Sequence, residues 1–310
     1  MTHPLLARLR LPIAAAPMFL VTGPEMVIAA ARSDIVGAFP TPNCRTAEDL
    51  DRWMEEITAG CADAPGLWAA NLVTHSTNPR LADDLALVAK HKPPIVITAL
   101  GSPAPVVEAV HAYGGIVLAD VVSETLGRKA AAAGADGLVA VAAGAGGHTG
   151  SLSPFSFLAV LRSFFNGIVC LGGGIADGAA VAGAVAAGAD LVYMGTRFLA
   201  AEESRASEGY KAMVIASSAS DLLVSPAVTG TAASWLKPSL TQAGYDIDNL
   251  MSPAARDYSA PTGARWRDVW SAGQGLHAVQ AVESVAAIVD QLERGWNEGR
   301  ARLLNTGTPA

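Results

Sequence analysis

The chain has 310 residues, of which 51% are hydrophobic and only 16% charged, and its formal net charge is −7. The acidic balance and the lack of basic runs argue against a nucleic-acid surface. With aromatics at 6%, the core must be built from Ala, Val, Leu and Ile packed close with glycine, as in an α/β protein with tightly docked helices.

Residues 11–31 are apolar but interrupted by Pro12, Pro17, Gly23, Pro24 and Glu25, so neither a signal peptide nor a membrane span is expected there. From there on, short apolar runs alternate with Ala-rich helical stretches. Strands are expected at Ile13–Met18, Ile35–Phe39, Leu67–Val73, Ile95–Ala99, Ile116–Ala119, Gly137–Ala142, Ile168–Leu171 and Leu191–Gly195. Between them, helices are expected at Ala47–Ala59, Arg80–His91, Pro105–Tyr113, Glu124–Ala133 and Gly178–Ala187. The strands are continuously apolar, the mark of a parallel sheet buried on both faces. Eight of them favour a closed (β/α)8 barrel, which usually takes about 250 residues. The segment Ala132–Asp136 recurs as Ala186–Asp190, an echo that two consecutive βα units would produce, although similar Ala/Gly-rich helix ends also arise by chance.

After Phe198 the alternation stops. Residues 200–270 carry Pro226, Pro238, Pro253 and Pro261 together with Trp235, Trp266 and Trp270. They read as a helical insertion or lid over the barrel mouth, the barrel itself taking 1–199 and 271–310. The tryptophans either cover a substrate or pack against a second subunit. A final helix is expected over Leu276–Trp296, followed by a frayed tail. Cys44, Cys61 and Cys170 make no CxxC pair and no metal spacing, which fits a soluble protein of a reducing cytoplasm.

Chemistry concentrates at the predicted strand ends. Gly172-Gly173-Gly174 closes the seventh strand, and Gly195-Thr196 closes the eighth, the two places where barrels bind phosphate. Asp177-Gly178 opens the following helix and would add backbone donors from its first turn. His148 follows the sixth strand in GAGGHTG, where the glycines leave room for a planar ring and the imidazole can act as a base near neutrality. His75, after the third strand, is kept as a substrate contact. Asn71 sits inside an apolar run and needs partners, either a ligand or neighbouring backbone. Asp120 is either a functional carboxylate or the N-cap of the helix near Ser123. No nucleophile elbow, HExxH or Walker lysine is present.

These residues resemble the nitronate monooxygenase family, formerly the 2-nitropropane dioxygenases. The resemblance runs from Ala16-Pro17-Met18 through Ala145–Gly150 (AGGHTG), Leu171–Gly178 (LGGGIADG) and Gly188–Phe198 (GADLVYMGTRF) to Trp270–Gly275 (WSAGQG). It implies a TIM barrel holding non-covalent FMN, with Met18 and Asn71 against the flavin. Gly172, Gly173, Gly174, Gly195 and Thr196 would hold the phosphate, and Gln274 would lie near the ring. Ala16, Pro17, Asp120, Ala145, Gly146 and Gly147 complete the expected cofactor contacts, and His148 is the implied catalytic base. The implied reaction joins a nitronate and O2 to give a carbonyl compound and nitrite, with no nucleic-acid or membrane partner and room for a homo-oligomer. Some relatives carry a lysine near the end of the fifth strand, where this chain has Asp120-Val121-Val122, so a cationic contact there is in doubt. The same scaffold also occurs in NAD(P)H-dependent flavin reductases of quinones and enoyl thioesters, the alternative activity.

Overall fold

The computed structural model describes residues 3–250 and 267–305. Its strands are β1 (Ile13–Ala15), β2 (Val36–Pro40), β3 (Leu67–Val73), β4 (Ile95–Ala99), β5 (Ile116–Val121), β6 (Gly137–Val141), β7 (Gly147–His148), β8 (Ile168–Gly172) and β9 (Leu191–Met194). All except β7 form one closed parallel barrel in the order β1-β2-β3-β4-β5-β6-β8-β9. Closure is made by Ile13, Ala14 and Ala15 in register with Val192, Tyr193 and Met194. The eight predicted strands are therefore the eight staves of the barrel.

Alternation within β3 shows why these strands read as unbroken apolar runs. Leu67 and Ala69 point into the barrel with Ala14, Ile97, Leu118, Val139 and Cys170. Trp68, Ala70 and Leu72 point out against the helices. Both faces are buried, so both must be apolar. The same alternation carries Asn71 in β3 and Asp120 in β5 to the inner face at the C-terminal end of the barrel. Tyr193 in β9 packs on that inner cluster directly.

Around the barrel lie α1 (Pro24–Arg32), α2 (Ala47–Gly60), α3 (Leu81–His91), α4 (Ala104–His111), α5 (Glu124–Ala132), α6 (Pro154–Arg162) and α7 (Gly178–Ala186). Both α1 and α6 start on proline, which is favoured at the first helical position because its missing N–H has no helical partner to lose. Pro24, read in the sequence as a break, is such a start.

The sequence echo has a structural basis. Gly134 and Gly188 both take left-handed backbone (φ +92 and +113) just beyond α5 and α7. Each following aspartate then ties the strand before it: Asp136 accepts the Val117 N–H at 2.7 Å and Asp190 accepts the Val169 N–H at 2.9 Å. Asp136 also meets His111 at 2.8 Å, and Asp190 meets Arg162. The repeat is a pair of charge-assisted staples at the N-terminal end of the barrel.

Beyond β9 come α8 (Thr196–Leu199), α9 (Glu208–Ala216), β10 (Leu222–Ser225), β11 (Ala233–Leu236) and α10 (Lys237–Gln242). The segment is thus not purely helical: β10 and β11 form a hairpin, and β11 pairs antiparallel with β7. Pro253, Pro261 and Trp266 lie outside the described residues. Trp235 is fully buried and donates its indole N–H to the Ser225 carbonyl at 3.2 Å, so it is the core of this insertion. Neither a substrate nor a second subunit needs to cover it.

The last helix, α11, spans Val285–Asn305, later than the sequence pattern suggests; Gln274–Ala278 is a separate 3-10 turn. Two bonds set that boundary. The Glu283 carbonyl accepts the Glu202 N–H, holding the chain extended, and the Ser284 hydroxyl accepts the Ala287 N–H as a cap. The helix also runs through the stretch expected to fray. It packs against α7 with almost no gap: a Cβ on Gly178 would stand 1.9 Å from the Leu292 carbonyl. Among the described residues no helix is long and apolar enough to cross a membrane.

Candidate functional site

A cavity of about 1080 Å³ opens at the C-terminal ends of the strands. Its lining includes Ala16, Pro17, Met18, Asn71, Asp120, Ala145, Gly146, Gly147, His148, Gly172, Gly173, Gly174, Gly195 and Thr196. Of the expected cofactor and catalytic residues only Gln274 is missing from that set, while His75 and Asp177-Gly178 also lie outside it. Gln274 stands behind the wall: a Cβ on Gly144 would come within 2.8 Å of its Oε1, and its neighbour Gly275 reaches the cavity.

The glycines do different jobs. Gly173 (φ +137) and Gly174 (φ +69) turn the chain sharply after β8, and a Cβ on Gly173 would stand 2.7 Å from the Ala143 carbonyl. No larger residue takes that path. Gly146 faces backbone as well: its Cβ would meet the Gly273 nitrogen at 2.7 Å. This glycine admits the 272–275 loop of the same chain. Gly147 has open space around it and is needed for its φ of +62. The three loops are tied together at one carbonyl, Gly144, which accepts N–H groups from Gly174 at 3.1 Å and Gln274 at 2.9 Å. The Thr196 hydroxyl accepts the Gly273 N–H at 2.8 Å.

One expected anion site is corrected by the structure. The Asp177 carboxylate caps the start of α7 itself, accepting the Ala180 N–H at 2.8 Å. Gly178 lies under α11. A helix start that already carries its own carboxylate repels a phosphate. The Gly174 N–H, likewise, is spent on Gly144. The remaining cradle is the turn at Gly172-Gly173 and the end of β9 at Gly195-Thr196, over which the Met18 thioether sits, 3.4 Å from a Cβ on Gly195.

His148 owes its place to the insertion. It is half-buried and pairs in register with Ala233, and Gly147 pairs with Ser234. The next residue, Thr149, donates its N–H to the Ala232 carbonyl at 3.1 Å and its hydroxyl to the Ala142 carbonyl at 3.1 Å. A loop that looked free in the sequence is a strand edge held from both sides. The insertion is itself strapped to the barrel: Tyr210 stacks on Trp270 at 5.1 Å, and its hydroxyl donates to the Ser271 carbonyl and accepts the Ser271 N–H.

At the floor, Asn71 is buried and donates to the Ile97 carbonyl at 3.4 Å, so it has a backbone partner while also facing the cavity. Asp120 is not a helix cap; Ser123 caps α5 by accepting the Leu126 N–H at 3.3 Å. Burial pushes the Asp120 carboxyl up to about 7. Among the described residues three enclosed side-chain oxygens have no hydrogen-bond partner: Asp120 Oδ1, the Tyr193 hydroxyl and the Thr231 hydroxyl. All three residues line this one cavity. Orphaned buried polar atoms are rare in folded proteins, and their convergence here marks a surface shaped for a polar ligand.

Sequence reasoning missed Tyr193 and Thr231. Tyr193 had a legible signal, a hydroxyl at an inward position of a strand end, like Asn71. Thr231 had none, because its loop reaches the cavity only through the small sheet. His75 is not among the lining residues; its Nδ1 meets the Thr77 hydroxyl at 2.9 Å in an exposed turn. On the far wall the half-buried Arg80 donates to the buried Asp84 at 2.9 Å and to the Cys44 carbonyl at 2.6 Å.

Residues 41–295 match the family model for nitronate monooxygenase. A nitronate monooxygenase of Paraburkholderia phytofirmans is 31% identical over 238 residues, 71% of this chain and 65% of that protein. The chain thus spans slightly less than two thirds of that relative. An octahydroindene-carboxyl-CoA dehydrogenase of Rhodococcus jostii is 26% identical over 82% of this chain and 72% of its own. Among solved structures, a variant of FabK from Thermotoga maritima superposes with a TM-score of 0.80 at 25% identity, covering 97% of both chains.

Proposed function

The chain belongs to the nitronate monooxygenase family, a group of flavin-dependent oxidoreductases, and from that premise we propose that it is an FMN-dependent enzyme oxidising alkyl nitronates with O2 to carbonyl compounds and nitrite. The observation that carries this reading is that Asp120, Tyr193 and Thr231, each with an enclosed oxygen that has no partner, all line the cavity that His148 also lines.

The residues present fit FMN. Gly195 leaves backbone beside Met18 that a side chain would cover, and the orphaned hydroxyls and carboxyl lack the partners that a heteroaromatic ring edge supplies. When bound, FMN provides the electron-accepting chemistry that no side chain offers. Gly172, Gly173, Gly195 and Thr196 would hold its phosphate. Met18, Asn71 and the Ala145-Gly146-Gly147 turn would enclose its ring.

His148 then has one task. In its neutral form the imidazole would accept the α-proton of a neutral nitroalkane, converting it to the nitronate. A preformed nitronate needs no such step. The insertion holds this imidazole at the rim through the pairing of β11 with β7. The scaffold is soluble and works without a membrane or nucleic acid.

The Rhodococcus jostii relative, which covers more of this chain than the Paraburkholderia phytofirmans protein does, favours a second reading, a nucleotide-dependent flavin reductase of thioesters. Anaerobic mixing separates the two. On the nitronate reading, propionate-3-nitronate or 2-nitropropane nitronate changes the flavin absorbance within the mixing experiment, and NADH and NADPH act slowly. Fast bleaching by a nucleotide with nitronate inert overturns it.

A further inference from the structure

The floor of the cavity carries two groups, Asp120 and Tyr193, whose protons the reading above leaves without a role. Asp120 and Tyr193 both point inward from the ends of β5 and β9, and each has an enclosed oxygen without a partner. The groups around Asp120 are accounted for element by element. Across β6 and β8 its register neighbours are Val139 and Cys170. Asn71 on β3 is engaged with Ile97. Arg80 on the approach to α3 is engaged by Asp84, Lys129 comes from α5, and His148 lies on the insertion side. Tyr193 and Cys170 both feel the Asp120 charge, and each is driven above its ordinary range by burial first. Burial alone raises Asp120, with no cation offsetting it.

An ionised carboxylate there offers only acceptors, as would a phenolate beside it. A neutral acid beside a phenol offers two O–H donors. The ligand for such a floor must present acceptor atoms, and a flavin ring carries carbonyl and imine-type acceptors along its pyrimidine edge. Resting on the flavin assignment above, we propose that Asp120 and Tyr193 form a proton-donating floor, so that the protein takes up FMN together with one proton held on Asp120. Cofactor affinity in this chain is therefore coupled to pH.

The linkage has a definite sign. Binding favours the protonated form, so affinity is full below the pKa of the ligand-free site and falls about tenfold per pH unit above it. The FMN phosphate completes its own titration near pH 6 and leaves the range from 7 to 9 clear.

The test is calorimetric titration of the apoprotein with FMN at pH 8, in two buffers of different protonation heat. The native protein takes up close to one proton. Asp120→Asn binds FMN within a few fold of native at pH 7 and takes up none. His148→Asn keeps the uptake, which excludes the imidazole as its source. Tyr193→Phe binds severalfold more weakly with the uptake unchanged. Binding without proton uptake in the native protein, or the same uptake in Asp120→Asn, overturns the proposal while leaving the flavin assignment intact. Failure of the native protein to bind FMN overturns both. If Asp120→Asn does not fold, the infrared difference spectrum of the native protein decides: a protonated-carboxyl band appears on FMN binding at pH 8, and its absence overturns the proposal.

Discussion

Asp120→Asn should make the ligand-free protein more stable, and increasingly so as pH rises. Burial lifts this carboxyl from 3.8 to about 7. At 1.36 kcal/mol per pH unit, that corresponds to about 4 kcal/mol when the group is fully ionised. Linkage ties the penalty to the shift itself, so about 4 kcal/mol is expected once the group is fully ionised. Between pH 3.8 and 7 the folded state binds more protons than the unfolded chain. Stability therefore falls as pH rises through that window and stays low above it. Asparagine keeps the shape, and its own unmet hydrogen bonds cost the same at every pH, so the pH dependence isolates the charge. Urea unfolding of both proteins freed of cofactor at pH 5 and pH 8 measures it. The variant should gain about 4 kcal/mol at pH 8 and less than half of that at pH 5. A gain that does not change with pH, or a loss at pH 8, refutes the burial argument.

Three further outcomes follow from the geometry. His148→Asn should lower kcat/KM for neutral nitroalkanes by about 10²–10⁴-fold while largely sparing turnover of preformed nitronates, compared in steady-state oxygen uptake. Gly178→Ala puts a methyl group into the Leu292 carbonyl and should cost about 1–3 kcal/mol in urea unfolding by prising α11 off α7, with little change at the cavity. Asp190→Ala leaves the Val169 N–H without its acceptor and Arg162 without its carboxylate partner and should destabilise by about 1–3 kcal/mol; Asp136→Ala should behave likewise through Val117 and His111, and a neutral result at both sites would remove the staple interpretation of the repeat.

The barrel was legible because its strands are buried on both faces, which writes them as unbroken apolar runs of the right length. Residues Leu67–Val73 and Ile95–Ala99 are observed with the bounds expected. The glycine segments located the cavity, since backbone crowding and left-handed φ leave a residue-level trace. What stayed hidden depends on contacts distant in sequence. The strand Ala233–Leu236 also pairs with Gly147-His148, roughly ninety residues earlier, a contact no local pattern announces, so His148 looked like a free loop residue. Asp177-Gly178 looked like an anion site because sequence does not say whether a capping carboxylate folds back on its own helix or leaves it open. Asp120 was ambiguous for a related reason: a nearby serine, Ser123, was the better cap, and only inward alternation along β5 shows the carboxylate facing the cavity.

The central claim is that the cavity at the strand ends is a flavin site. Its most direct measurement is FMN content: the absorption spectrum of the purified protein, then reconstitution of stripped protein with FMN, beside a Gly195→Val variant that fills the cradle. The account predicts one FMN per chain in the native protein, recovered on reconstitution and lost in the variant. A colourless protein that takes up no FMN, or a variant that binds it as well as the native chain, would contradict it.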